Sequence, residues 1–122
     1  MAVLDKEYLV GKIVELNFTT SRVLLLSDLN SKIPVDILPN SIQSILSGTG
    51  KENGKIQYVK EEALIENENK VFTSGAGGIF KPGIPIGEIA KKQSNLDINV
   101  AFFSDFSQLR FVKLRSFSPE EN

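Results

Sequence analysis

Apolar residues along this chain come in short runs of strand length, separated by turn formers at intervals of about ten residues, and no window sustains the 3.6-residue spacing of an amphipathic helix. The pattern predicts an all-β fold. The expected strands are "YLVGKIVEL" (8–16), "SRVLLLSD" (21–28), "KIPVDI" (32–37), "SIQSILSG" (41–48), "KIQYVKE" (55–61), "KVFTS" (70–74), "IPIGEIAKK" (84–92), "DINVAFFSD" (97–105) and "LRFVKLRSF" (109–117). "VLLL" at 23–26 is continuously apolar, which predicts a strand covered on both faces. "KIQYVKE" alternates Ile56 and Tyr58 with Lys55 and Gln57, so one of its faces should be wet. "DLNS" (28–31) and "SGTGKENGK" (47–55) read as loops, Asp28 and Asn30 being able to bond back onto their own backbone. The acidic stretch 61–70 fits one helical turn and a loop, and the tail 118–122 should be frayed.

"TSGAGGIFKPGIPIGEI" (73–89) poses the first chemical question, because glycines at this density can cradle a phosphate. Such a cradle needs a helix starting behind it, and Pro82 and Pro85 stand where that helix would run. The stretch therefore reads as corners: Gly75, Gly77 and Gly78 take positive φ at a tight bend, and Pro82 and Gly83 occupy the centre of a type II turn. Ile79 and Phe80 between them form either a plug in a barrel end or an exposed apolar tip.

Length and charge narrow the class further. A chain of 122 residues with 41% hydrophobic content makes one compact unit, or two small ones sharing a core, and it needs neither disulfide nor metal to fold. It has no cysteine and no histidine, which removes Ser-His-Asp and Cys-His catalysis and most zinc sites, and no cofactor motif is present. The formal net charge of −1, with scattered Lys and Arg, lacks the basic stripe that binds nucleic acid. No run approaches the roughly eighteen apolar residues that would span a bilayer, and the first residues do not form a signal peptide.

What chemistry remains is paired carboxylates or a Ser-Lys dyad. Asp28, Asp36, Asp97 and Asp105 are read as strand-edge residues beside Ser or Asn, where Asp usually serves turns, and Ser74 with Lys70 or Lys81 is the conceivable dyad. Arg22, opening the most apolar strand, must reach solvent or find Asp28, Asp36 or a loop carbonyl. Phe102 and Phe103 are consecutive, so alternation sends them to opposite faces: one fills a core, and the other lies between two barrels, on the surface or in a core of its own. Large aromatics at a surface mark protein contacts, which makes Tyr8, Ile79, Phe80, Phe102, Phe103 and Phe106 the candidate partner-binding residues.

"LVGKIVEL", "SRVLLLSDLNSKIPV", "ILSG", "GKIQYV", "TSGAGGIFKPGIPIGEI" and "FFSDFSQLRFVKL" fall in an order that resembles the β-region of the MreC family of bacterial rod-shape-determining proteins, over residues 8 to 116. The resemblance implies two small antiparallel β-barrels across 1–122, one of them trypsin-like in shape but without catalysis, with one sub-barrel, about 32–70, inserted in the other. It implies a periplasmic scaffold of the cell-elongation machinery that binds and regulates a class-B penicillin-binding transpeptidase, meets MreD and copies of itself, and is tethered to the inner membrane by a helix absent from this chain. A Ser/Lys hydrolase on a protease-like barrel, and a small-ligand module with the glycine loop as its mouth, are the alternatives. Two departures stand out. The family usually carries an apolar residue followed by Gly-Asp before the Thr-Ser-Gly strand, where this chain has Asn67, Glu68 and Asn69. The family also has strands ahead of the Leu-Val-Gly motif, so the first barrel is expected either open or completed by another chain, with an unpaired edge near "YLVGKIV".

Overall fold

A computed structural model describes residues 2–16, 21–57, 65–94, 97–104 and 113–115. Its strands are β1 (Ala2–Asp5), β2 (Tyr8–Leu16), β3 (Ser21–Leu25), β4 (Lys32–Leu38), β5 (Ile42–Gly48), β6 (Asn53–Gln57), β7 (Lys70–Thr73), β8 (Pro85–Ser94), β9 (Asp97–Phe102) and β10 (Lys113–Arg115). Six of them close a barrel in the order β4-β5-β6-β9-β8-β7, and the other four form an open sheet in the order β10-β1-β2-β3. Every pairing is antiparallel. The expected inserted stretch, 32–70, makes up β4 to β6 and the start of β7, and the barrel continues through β8 and β9.

Alternation builds the barrel. Along β4, Ile33, Val35 and Ile37 are buried while Lys32 and Leu38 are exposed, a period of two that puts one face inside. Ile42 and Leu46 from β5, Ile56 from β6, Val71 from β7 and Ile98 and Val100 from β9 complete the same interior. Ala2, Leu4, Leu9 and Leu26, at the sheet, belong to that cluster too, so the sheet and the barrel share one continuous core. The linker between them is pinned by backbone bonds: Gly48 N–H donates to Ser31 C=O (3.0 Å) and Gly50 N–H to Ser27 C=O (2.7 Å).

Three expectations need correcting. β1 was not foreseen, because "AVLD" is too short to show a period and its loop, Lys6-Glu7, lacks the Asn-Gly type signal of a tight hairpin. Lys6 nonetheless adopts the required positive φ, 58°. "VLLL" is not covered on both faces: β3 is an edge strand, Leu24 and Leu25 are half-buried, and Val23 is 38% exposed. Only Leu26, just past the strand end, is fully buried. The free edge also moves, since β2, which carries "YLVGKIV", is flanked by β1 and β3, and Gly11 lets the Leu24 carbonyl come where a Cβ would sit 2.3 Å from its oxygen. Among the described residues β3 and β10 are the outer strands of this sheet instead. The end of the expected strand 55–61, from Tyr58 on, the first part of the stretch 61–70 and the tail at 118–122 lie outside the described residues.

The departure at Asn67, Glu68 and Asn69 has a clear structural outcome. Glu68 sits at φ 71°, a left-handed conformation that suits glycine and strains a residue with a Cβ. Asn69 Oδ1 accepts from Glu66 N–H (2.9 Å) and Glu68 N–H donates to Ile89 C=O (2.7 Å), so the turn is retained with its strain. Glu68→Gly should therefore raise stability by about 0.5–1 kcal/mol, the relief of left-handed strain less the extra entropy of an unfolded glycine. Urea unfolding would show this as a higher midpoint at unchanged slope; a lower midpoint would mean the Glu68 side chain contributes more than its backbone costs.

Candidate functional site

The glycine stretch is a set of corners. Gly75, Gly77, Gly78 and Gly83 have φ of 76°, 73°, 68° and 85°, and Ala76–Gly78 make one short 3-10 turn interrupted at Gly77. Gly75 lies against Pro82, whose ring carbon would be 3.0 Å from an added Cβ, so the loop folds back on itself. Thr73, 1% exposed, ties its ends: the hydroxyl donates to Lys81 C=O (2.7 Å) and accepts from Ile84 N–H (2.9 Å). Those two groups are the ones a closed Lys81–Ile84 turn would pair directly, so the side chain serves as the bridge. No helix stands behind the loop to aim N–H groups at a phosphate.

Of the pair left between the corners, Phe80 is the plug. It is 2% exposed and belongs to the core, whereas Ile79 is 39% exposed at the loop tip. Phe80 offers no surface to a partner, because its ring closes one region of the core that the glycine corners wrap. Phe102 packs against the barrel core, next to Gly54, where an added Cβ would stand 3.1 Å from Phe102 Cζ. Phe103 goes the other way, as alternation requires, and meets Tyr8 of β2 with ring centroids 5.1 Å apart and planes tilted by 47°. Phe106 lies outside the described residues.

Around Phe103 the structure assembles a cluster that no local motif announced. Lys70 Nζ is 5.6 Å from the Phe103 ring centroid and forms an ion pair with Glu88. Lys70 and Glu88 are directly opposed across β7 and β8, a relation fixed by register and invisible in their separation along the chain. Tyr8 and Phe103 are half-buried, and the Lys70 side chain is 51% exposed. A tilted aromatic pair contributes about 0.5–1.5 kcal/mol, an exposed cation–π contact about 0.5–1 and a surface ion pair about 0.2–1. These contacts orient a surface; the core beneath holds the fold.

The candidate catalytic groups are occupied elsewhere. Ser74 Oγ accepts from Ala76 N–H (3.1 Å), and Lys70 is engaged with Glu88. Asp28 makes the expected turn, its Oδ1 accepting from Asn30 N–H at 2.8 Å and its carbonyl from Ser31 N–H at 2.9 Å. Arg22 is exposed near the start of β3, the solvated alternative. Asp105 lies outside the described residues. Among the described residues no group of three acidic side chains gathers where a metal could be held.

Asp36 is the electrostatic exception. It sits half-buried on the outward face of β4, opposite Phe72 and Gln43, and its buried Oδ1 has no hydrogen-bond partner among the described residues. Burial pushes its carboxyl above the ordinary value of 3.8.

The comparisons with known proteins settle the lineage. Residues 1–115 match the family model described as "Rod shape-determining protein MreC, barrel core". The chain belongs to the MreC family. The cell shape-determining protein MreC of Caulobacter vibrioides is 34% identical over 96% of this chain, which spans 38% of that protein's length. The crystal structure of MreC from Pseudomonas aeruginosa superposes with a TM-score of 0.80 at 30% identity, covering 91% of this chain and 76% of that one. The major periplasmic domain of the cell shape-determining filament MreC superposes with a TM-score of 0.76 at 25% identity, covering 88% and 72%. Helicobacter pylori MreC, solved in complex with Penicillin-Binding Protein (PBP2), shares the fold with a TM-score of 0.72 at 22% identity, covering 91% and 73%.

Asp36 supplies a test by pH. Its folded-state pKa lies above the unfolded value, so the ionised form is disfavoured by folding, and the group's contribution to stability is present below pH 3.8 and lost as pH rises through the folded value. Asp36→Asn should thus be more stable than the parent at pH 7, with the difference vanishing at pH 3 in paired thermal melts. A variant less stable at neutral pH would mean that the carboxylate has a favourable partner.

Proposed function

We propose that this chain is a non-enzymatic scaffold of the periplasmic cell-elongation machinery, and that it binds a class-B penicillin-binding transpeptidase through the Tyr8–Phe103 surface. The observation that carries the reading is the placement of that half-exposed aromatic pair, framed by Lys70 and Glu88, on a fold that in Helicobacter pylori MreC has been solved together with PBP2. Aromatic anchors beside a charged rim are the composition that protein–protein contacts favour. Ile79, exposed at the glycine tip, is a further candidate contact, while Phe80 contributes by holding that tip in place.

Copies of the same chain and MreD are further partners in this reading, and a segment outside this chain tethers the protein to the inner membrane. The filament and the periplasmic domain named for a solved relative support self-association and the compartment. The mechanism is selective binding: a scaffold that holds one conformation of the transpeptidase tighter than another by about 1–3 kcal/mol shifts its population about 5–150-fold.

Binding of the purified chain to the periplasmic part of a class-B penicillin-binding protein from the same organism, followed by calorimetry, tests this. Phe103→Ser should weaken binding by about 2 kcal/mol or more while costing the fold only about 1–2.5 kcal/mol, the worth of its ring contacts. Phe80→Ser should instead lose about 3–5 kcal/mol of folding stability. If the parent chain fails to bind, the partner is wrong; if it binds and Phe103→Ser binds equally well, the surface is wrong.

A further inference from the structure

Asn53-Gly54 is the only Asn-Gly step in the sequence. It is the dipeptide most prone to spontaneous deamidation, because glycine leaves the following amide nitrogen unhindered. In that reaction the Gly54 nitrogen, on losing its proton, attacks Asn53 Cγ. The side-chain nitrogen leaves as ammonia, and water then opens the resulting succinimide at either carbonyl to give aspartate or isoaspartate.

The fold gives this step an unusual setting. Such pairs ordinarily sit in turns, but here Asn53 opens β6, and Gly54 is paired with Gly48 on one side and Val100 on the other. The Asn53 amide is held from two directions: the Thr49 hydroxyl, 2.9 Å from both the Asn53 Oδ1 and the Asn53 C=O, shares its one proton between them, and Asn53 Nδ2 donates to Asn99 Oδ1 at 3.3 Å. Extended backbone turns the Gly54 nitrogen away from Cγ, and the two side-chain bonds hinder the rotation that would bring them together. Glycine at 54 is favoured by packing, since a Cβ there would stand 2.7 Å from Leu46 Cδ1, 3.1 Å from Phe102 Cζ and 3.2 Å from the Ser47 carbonyl oxygen, and those side chains would have to give way.

We infer that Asn53 is a latent deamidation site which the β6–β9 seam holds closed, so that separation of these strands sets the rate of its conversion. The location gives the reaction a consequence. Aspartate at 53 would lose the amide donor to Asn99, and isoaspartate would insert a methylene into the backbone and spoil the Asn53–Ala101 register at the pairing that closes the barrel between distant parts of the chain.

The test is incubation of the intact chain at neutral pH, with and without denaturing urea, followed by peptide mapping for aspartate and isoaspartate at 53. In urea Asn53 should be the first amide lost. In the native protein its loss should be about tenfold slower or more, because only the locally opened population reacts. Asn99→Ala and, separately, Thr49→Val should speed the native reaction while circular dichroism shows the barrel intact; if either variant unfolds, the other provides the same comparison, and amide exchange of β6 in the parent should rise in step with deamidation as urea is added below the transition. Native deamidation within about twofold of the unfolded rate would overturn the inference. So would a native rate that stays constant while β6 exchange increases.

Discussion

The structure depends on the burial of one sheet face against an already closed barrel. A six-stranded barrel has no free edges, but a four-stranded sheet with Leu4 and Leu9 on one face is stable only when something covers them, and here the barrel's own interior cluster extends to do so. Close approach at the joint is possible because Gly48 has no side chain: a Cβ there would sit 2.0 Å from the Asp28 carbonyl oxygen, where no real contact exists. Gly87 permits a similar approach of β8 to β9, with Ala101 oxygen 2.2 Å from the absent Cβ. Gly48 and Gly87 thus act as spacers that let backbones meet, a role distinct from the left-handed corners at Gly75 to Gly83.

That joint places the proposed binding surface. Tyr8 comes from the sheet, Lys70 and Glu88 from the barrel wall, and Phe103 from the segment leaving β9, so their geometry exists only while the two parts are docked. A partner that grips this surface gains affinity from a preorganised arrangement and in return stabilises the docked state, the reciprocity that linkage demands. Individual contacts in the cluster are weak, each about 1 kcal/mol, so the surface can adjust without loosening the core.

Much of this was legible in the sequence because period-two alternation is a local property. The alternating interior of β4 follows directly from it, as does the division of labour between Phe102 and Phe103, while β2 showed itself as a short apolar run bounded by turn formers. The left-handed glycines were legible because proline at 82 and 85 forbade the competing helix. What alternation does not carry is which strand neighbours which. The edge position of β3 despite its apolar run, the Lys70–Glu88 pairing and the role of Thr73 as a turn bridge are all consequences of register between distant segments. β1 escaped because its hairpin loop uses Lys6 in a conformation for which lysine gives no signal.

The shared core is tested most directly by hydrogen exchange on Leu9→Ala. Leu9 is fully buried in the sheet, and its truncation should cost about 2–5 kcal/mol. If the sheet and the barrel stand or fall together, the slowest amides of β4 and β8 should lose protection by the same factor as those of β2. Loss confined to β1, β2 and β3, with barrel amides as protected as in the parent, would show two independently stable parts and contradict the account.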